Sequence, residues 1–247
     1  MGTFEIAQDA ITKAMASGAI NLGGGAWSAT QSAAAMTWFQ AAAFVNYLNT
    51  STGHQAAYQL DTGNTALTLW SSGQAWQAGG ENLYRNKDAY YFLPNENEWY
   101  KAAYHQNDGV TANYWDYATG SNSVPNATSG GTTPDSAVYS GSSPTDVNNA
   151  GGLSAYGTMG QNGNVYEFLE SAYDGVNDSS SEDRALRGGY WADTGGTLRS
   201  SWRGAFSGPV GLSGFRVASV VPEPLSAMLM LGSGLMFSLR RRRGSAL

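Results

Sequence analysis

Thirty-two of the 247 residues are glycine, and there is no cysteine. Glycine reaches left-handed backbone conformations freely but weakens the interiors of helices and strands. A chain so rich in it is built mainly of turns and loops between short elements. Disulfides cannot hold those loops. Eight tryptophans and fourteen tyrosines can, because each buries a large apolar area. At this length one irregular domain has room for a sizeable core.

Charge narrows the partners. Eighteen acids and nine bases precede Pro222, a net of −9. That balance disfavours nucleic acid, which needs a basic face to displace counterions. It is compatible with cation binding. Without cysteine there is no thiolate ligand or thiol nucleophile. His54 and His105 are the two histidines, too few for a three-histidine metal site.

The last 27 residues differ from the rest. Val221-Pro222-Glu223-Pro224 leads into an uncharged apolar run, Leu225 to Leu239, followed by Arg240, Arg241, Arg242 and Arg243. As a helix the run reaches roughly 22 Å, short of a ~30 Å hydrocarbon core. Snorkelling arginines and local thinning close such a gap. The expectation is a domain over residues 1–220 and a tail over 221–247. The tail forms a short C-terminal apolar helix, its arginines on the cytoplasmic side.

Two helices have identifiable starts. Thr37 and Gln40 have capping-box spacing, and Trp38, Ala41, Ala42, Val45 and Leu48 then share a face. Asn95 and Glu98 repeat the arrangement, with Trp99, Ala102 and Ala103 behind them. Residues 105–152, rich in Gly, Ser, Thr, Asn and Asp, read as an extended surface excursion. Ala185 to Arg187 and Gly214 to Ala218 read as strands. Glu96 and Glu98 diverge on a helix and cannot work as an acid–base pair. His54 and His105 each border a predicted helix C-terminus, where dipole compensation or exposure accounts for them.

Five segments, in order, carry a family resemblance. They are Ala41-Ala42-Ala43-Phe44-Val45-Asn46-Tyr47-Leu48-Asn49, the stretch from Tyr91 to Ala103 with Leu93-Pro94-Asn95-Glu96-Asn97-Glu98-Trp99 at its centre, the stretch from Tyr156 to Phe168 ending in Gly163-Asn164-Val165-Tyr166-Glu167-Phe168, Leu186-Arg187-Gly188-Gly189-Tyr190-Trp191 and Gly214-Phe215-Arg216. Over about residues 4–220 the chain resembles the formylglycine-generating enzyme, or sulfatase-modifying factor, family. The resemblance implies an α+β, loop-rich, C-type-lectin-like fold with two main helices and short antiparallel strands. It also implies a catalytic cysteine pair holding copper(I), where this chain has Leu198 to Phe206 with serines and arginines. Copper(I) needs soft thiolates, and related enzymes need three histidines for iron. Neither copper nor iron is expected, and the enzyme reading gives way to a binding or scaffold module. The tail resembles the PEP-CTERM sorting signal of exported bacterial proteins, with Pro222, Glu223, Pro224 and the four arginines as its motif. That implies an exosortase-type partner, export, membrane anchoring through the tail before processing, and a cell-surface or extracellular body. Met1 to Ile6 has neither the basic nor the apolar region of a signal peptide, so either the start lies upstream of Met1, which is the expectation, or the chain is not exported.

Two sets of site residues follow. Asn164, Val165 and Glu167 match a calcium-binding segment of the family, with Asp146 where a second calcium aspartate aligns. Hard oxygen donors of this kind suit Ca²⁺. Arg199 and Arg203, with Trp202 between them, form the candidate ligand site, because guanidinium forks bind carboxylate or phosphate. The alternative is that the arginines, Arg187 and Arg216 included, pair with core acids such as Glu98, Glu167 or Asp193. An enzyme of uncharacterised chemistry using Arg199, Arg203 and nearby Ser or Tyr groups is the competing functional reading.

Overall fold

The computed structural model describes residues 1–22, 27–206 and 211–220. Three helices form: α1 (Gln8–Ala16), α2 (Trp38–Ser51) and α3 (Glu96–Tyr104). Both expected capping boxes close. Thr37 Oγ1 accepts from the Gln40 amide at 3.1 Å, and Gln40 Oε1 accepts from the Thr37 amide at 2.7 Å. Asn95 and Glu98 do the same at 2.8 and 2.7 Å. α1 lies outside the two-helix expectation. Its N-cap, Ala7, offers no side-chain acceptor, so the start leaves no mark in the sequence. Burial of Ile11 and Ala14 in the main core holds it instead.

The strands are short. They are β1 (Gln59–Leu60), β2 (Leu67–Thr68), β3 (Ala75–Trp76), β4 (Asn82–Asn86), β5 (Tyr91–Phe92) and β6 (Asn126–Thr128). β7 (Ser136–Val138), β8 (Tyr166–Ala172), β9 (Arg184–Arg187), β10 (Gly204–Phe206), β11 (Ser213–Gly214) and β12 (Ala218–Ser219) complete them. The central sheet runs β10-β9-β8-β11, and four two-stranded ladders surround it. The expectation of antiparallel pairing needs correction at two places, since β11 joins β8, and β6 joins β7, in parallel. The strand expected over Gly214 to Ala218 is really two. β11 enters the central sheet, β12 pairs with β5, and Phe215 between them packs on Phe44 with ring centroids 5.6 Å apart.

The main core sits between α2 and the central sheet. Trp38, Ala41, Ala42 and Val45 are buried there as the helical spacing predicts, with Leu48 packed at its edge. Residues 105–152 are not a surface excursion throughout, because Tyr117, Ala137, Val138 and Ala150 are buried. Gly163 shows how this segment is seated. Its φ is +81°, and a side chain there would collide with the Val138 carbonyl oxygen. The missing Cβ lets the Val138 carbonyl accept from the Asn164 amide at 2.8 Å, just ahead of β8.

Val220 donates its amide to the Tyr90 carbonyl at 3.0 Å, so the body extends that far. The expected apolar helix and the Pro222–Arg243 motif lie outside the described residues. Among the described residues no helix is long and apolar enough to cross a membrane.

Candidate functional site

Three of the site residues expected from the sequence, Asn164, Val165 and Glu167, meet around the start of β8. Asn164 adopts φ +60°, a conformation asparagine tolerates better than most residues. Its Oδ1 accepts from the Thr145 amide at 2.8 Å, and its Nδ2 donates to Ser32 Oγ at 2.7 Å and to Glu5. Three positions on, Glu167 is fully buried and faces Arg216, also fully buried. Arg216 grips both carboxylate oxygens, and Trp99 Nε1 donates to Oε2 at 2.7 Å. The other Arg216 hydrogens go to the Gly2, Thr3 and Met159 carbonyls. Val165 is buried in the apolar cluster around Trp191. Asp146 stands apart, its Oδ1 accepting from Thr30 Oγ1 at 2.6 Å.

The side-chain oxygens expected from the sequence to hold Ca²⁺ accept hydrogen bonds within the protein. Calcium takes six to eight free oxygens, and both Glu167 oxygens and the Asn164 oxygen already have protein donors. Among the described residues no group of three or more His, Asp or Glu side chains is placed to hold a metal. The ion pair itself is a structural clasp. A buried pair left with one partner costs about 3–5 kcal/mol, so Glu167 and Arg216 lock the N-terminal segment, α3 and β8 together.

The arginines expected to converge on a ligand diverge. Arg199 lies at the surface with Asp116 at 2.8 Å. Arg203 faces Glu96, which it shares with Arg187. Arg187 also donates to the Ser200 and Trp202 carbonyls at 2.6 and 2.7 Å, and Arg203 to those of Tyr173 and Ala172. Their guanidinium donors are engaged by the protein itself, so neither fork is open to a carboxylate or phosphate. Glu98 caps α3 and faces Arg85, which in turn is buried against Glu170.

Trp202 keeps a role. Its ring stacks on Tyr166 at 5.1 Å and 18°. Tyr166 meets Tyr190 at 5.2 Å, Tyr190 meets Trp191 at 5.2 Å, and Trp191 meets Trp27 at 5.2 Å. All but Trp191 in this row are half-buried. Burial first, and the Asp193 carboxylate beside it second, hold the Tyr166 phenol well above its usual range. The row is invisible in the sequence, since Trp27 and Trp202 are brought together only by the fold.

One further acid escapes sequence reasoning, and the two histidines find partners in the fold. Glu5 is buried against Ser32 and Asn164, and burial, then the nearby Glu167 charge, push its carboxyl up to about 8. His105 is buried rather than exposed, with Tyr156 on Nδ1 at 2.9 Å and the Val110 carbonyl on Nε2 at 2.8 Å. His54 stacks on Tyr90 at 4.7 Å.

The architecture recurs in solved structures. The chain is similar to Treponema denticola variable protein 1, with TM-score 0.57, 22% identity, and 87% of this chain and 82% of that one covered. It is also similar to CarF, with TM-score 0.62, 18% identity and 89% and 85% covered. PvdO from Pseudomonas aeruginosa gives TM-score 0.53, 15% identity and 89% and 79% covered. At such identities the likeness is one of fold. No curated protein matches the chain in sequence. Residues 18–221 do match the sulfatase-modifying factor enzyme 1-like domain, which takes in both capping-box helices, the central sheet and the Glu167–Arg216 clasp. By that match over most of its length, the chain belongs to the sulfatase-modifying factor enzyme 1-like family.

Proposed function

We propose that this domain is a binding module, carried on an exported protein, that has kept the family's fold and not its copper–cysteine chemistry. The aromatic row ending at Trp202 carries the reading. Its Trp202 end lies in the stretch where the family resemblance puts a catalytic cysteine pair, and there Arg203 and the neighbouring Arg187 are turned onto protein partners. Arg187 and Arg203 are saturated by Glu96 and backbone carbonyls. Half-buried Trp and Tyr rings suit recognition, because they give large contact area at small entropic cost. The competing enzyme reading needs Arg199 and Arg203 in one pocket, and they face different partners.

The same proposal takes residues 221–247 as a PEP-CTERM-type sorting tail read by exosortase-type machinery. It anchors the protein in the membrane until it is processed and leaves the body at the surface or outside the cell. The Pro222-Glu223-Pro224 break, the uncharged run and the four arginines support it.

Incubation of the purified protein with copper(I) and a sulfatase-motif peptide tests the catalytic half. Mass spectrometry should find no aldehyde above a metal-only blank, and turnover above that blank would overturn the reading. For the binding half, immobilised protein should retain extracellular matrix material from its own culture. The Trp202→Ala protein should not, at an unchanged melting temperature. Equal retention by both would remove the aromatic row from the argument.

A further inference from the structure

Trp76 ends β3 beside a second feature, a cleft of about 250 Å³ that it lines together with Glu81, Asn82, Asn97, Ser171 and Asn177. The β3–β4 hairpin, the start of α3, the end of β8 and the loop after it supply these groups. The cleft is distinct from the aromatic row. It opens at the Ala172 end of β8, roughly 20 Å from Tyr166 at about 3.3 Å per residue.

The floor is rigid. Asn82 Nδ2 donates to Glu170, and its Oδ1 accepts from Asn177 Nδ2 at 2.8 Å. Asn177 Oδ1 accepts from the Ala172 amide at 2.8 Å. Ser171 Oγ accepts from the Glu96 amide at 2.9 Å, which leaves its hydroxyl hydrogen to donate outward. Asn97 is exposed at the rim, with donor and acceptor on one amide.

The lining chemistry selects the ligand class. Arg85 lies 5.1 Å from the Trp76 ring but is held by Glu170 and Glu98. An anion therefore finds no free cation. Glu81 is the one acid in the lining, too little for a metal ion. An apolar ligand would strand the Asn97 amide and the Ser171 hydroxyl hydrogen without partners. What fits is a small neutral molecule with hydroxyls around its edge and a C–H face for the indole. That describes a sugar ring. The cleft is smaller than the 300–1,000 Å³ typical of drug-sized ligands, in keeping with a single residue of a glycan. We infer that this cleft binds a neutral sugar, its apolar face on Trp76 and its hydroxyls on Asn97 and Ser171, over the floor that Asn82 and Asn177 form.

The test uses the full-length protein in a detergent without sugar head groups. Methyl glycosides of glucose, galactose and mannose are titrated by saturation-transfer NMR and tryptophan fluorescence, and neutral oligosaccharides are screened on an array. Saturable binding of at least one sugar is expected, unaffected by chelators. Trp76→Ala should weaken it tenfold or more and Asn97→Ala about threefold, while Trp202→Ala leaves it unchanged. The Trp202 control keeps this outcome separate from that of the aromatic row. If Trp76→Ala fails to fold, the exposed Asn97→Ala decides alone. Absence of saturable binding to every neutral sugar would overturn the inference. So would affinity that survives both substitutions, or a preference for glucuronate over glucose.

Discussion

Glu5 presents an unusual arrangement for a carboxylate. One oxygen accepts from Ser32 and Asn164, the other has no hydrogen-bond partner, and the group is fully buried near Glu167. Two acids here share the single charge of Arg216, which the clasp commits to Glu167. Glu5 is thus held in its protonated form, with a carboxyl pushed up to about 8 against an ordinary 4.5. The sign follows. Between those values the folded state holds a proton that the unfolded chain has released, so stability falls as pH rises through the interval. The slope is bounded by about 1.4 kcal/mol per pH unit for one proton. Glu5→Gln mimics the protonated group and should flatten the decline. Melting temperatures measured from pH 5 to 8 check this, and a mutant as pH-dependent as the wild type would contradict it.

At the scale of elements, the helices divide by how they begin. α2 and α3 start at side chains that satisfy their own first-turn amides, so their positions are fixed locally. α1 starts at an alanine and depends on what it packs against. Thr37→Ala removes the cap of α2 and leaves the Gln40 amide without its acceptor. A loss of about 1 kcal/mol is expected, read as a fall of roughly 2–4 °C in melting temperature. The core face of α2 is untouched by this change, so the folded spectrum should stay the same. A fall several times larger would mean that Thr37 supports more than the helix start.

Across the whole molecule, the first residues, the middle and the stretch 213–220 are stitched together. The Ile6 amide bonds the Phe215 carbonyl at 2.9 Å, Arg216 reaches the Gly2 and Thr3 carbonyls, and β12 pairs with β5. The domain therefore needs its C-terminal residues as far as Val220. A chain ending at Val220 should melt with the full-length protein held in detergent. One ending at Val217, which lacks β12 and the Val220–Tyr90 bond, should melt lower. If the chain ending at Val220 unfolds, the tail belongs to the core and the sorting proposal fails.

The sequence by itself determined the features whose causes are local. Capping boxes at Thr37 and Asn95, the apolar face of α2 and the ordered motifs ahead of β8 and in β9 are encoded within a few residues of where they act, and they sufficed to identify the family and its loop-rich α+β fold. Cysteine counting settled the absence of thiolate chemistry. Only the tertiary structure decided what the charged and aromatic side chains do. Glu167 and Arg216 are 49 residues apart, Arg203 and Glu96 107, and no spacing rule tells a clasp from a ligand site. The local motif names Asn164 and Glu167 as oxygen donors, and only folding shows that Arg216, Trp99 and the Thr145 amide reach those oxygens. A carboxylate's role is set by which donor reaches it first, and in a chain this rich in loops the donors arrive from far along the sequence.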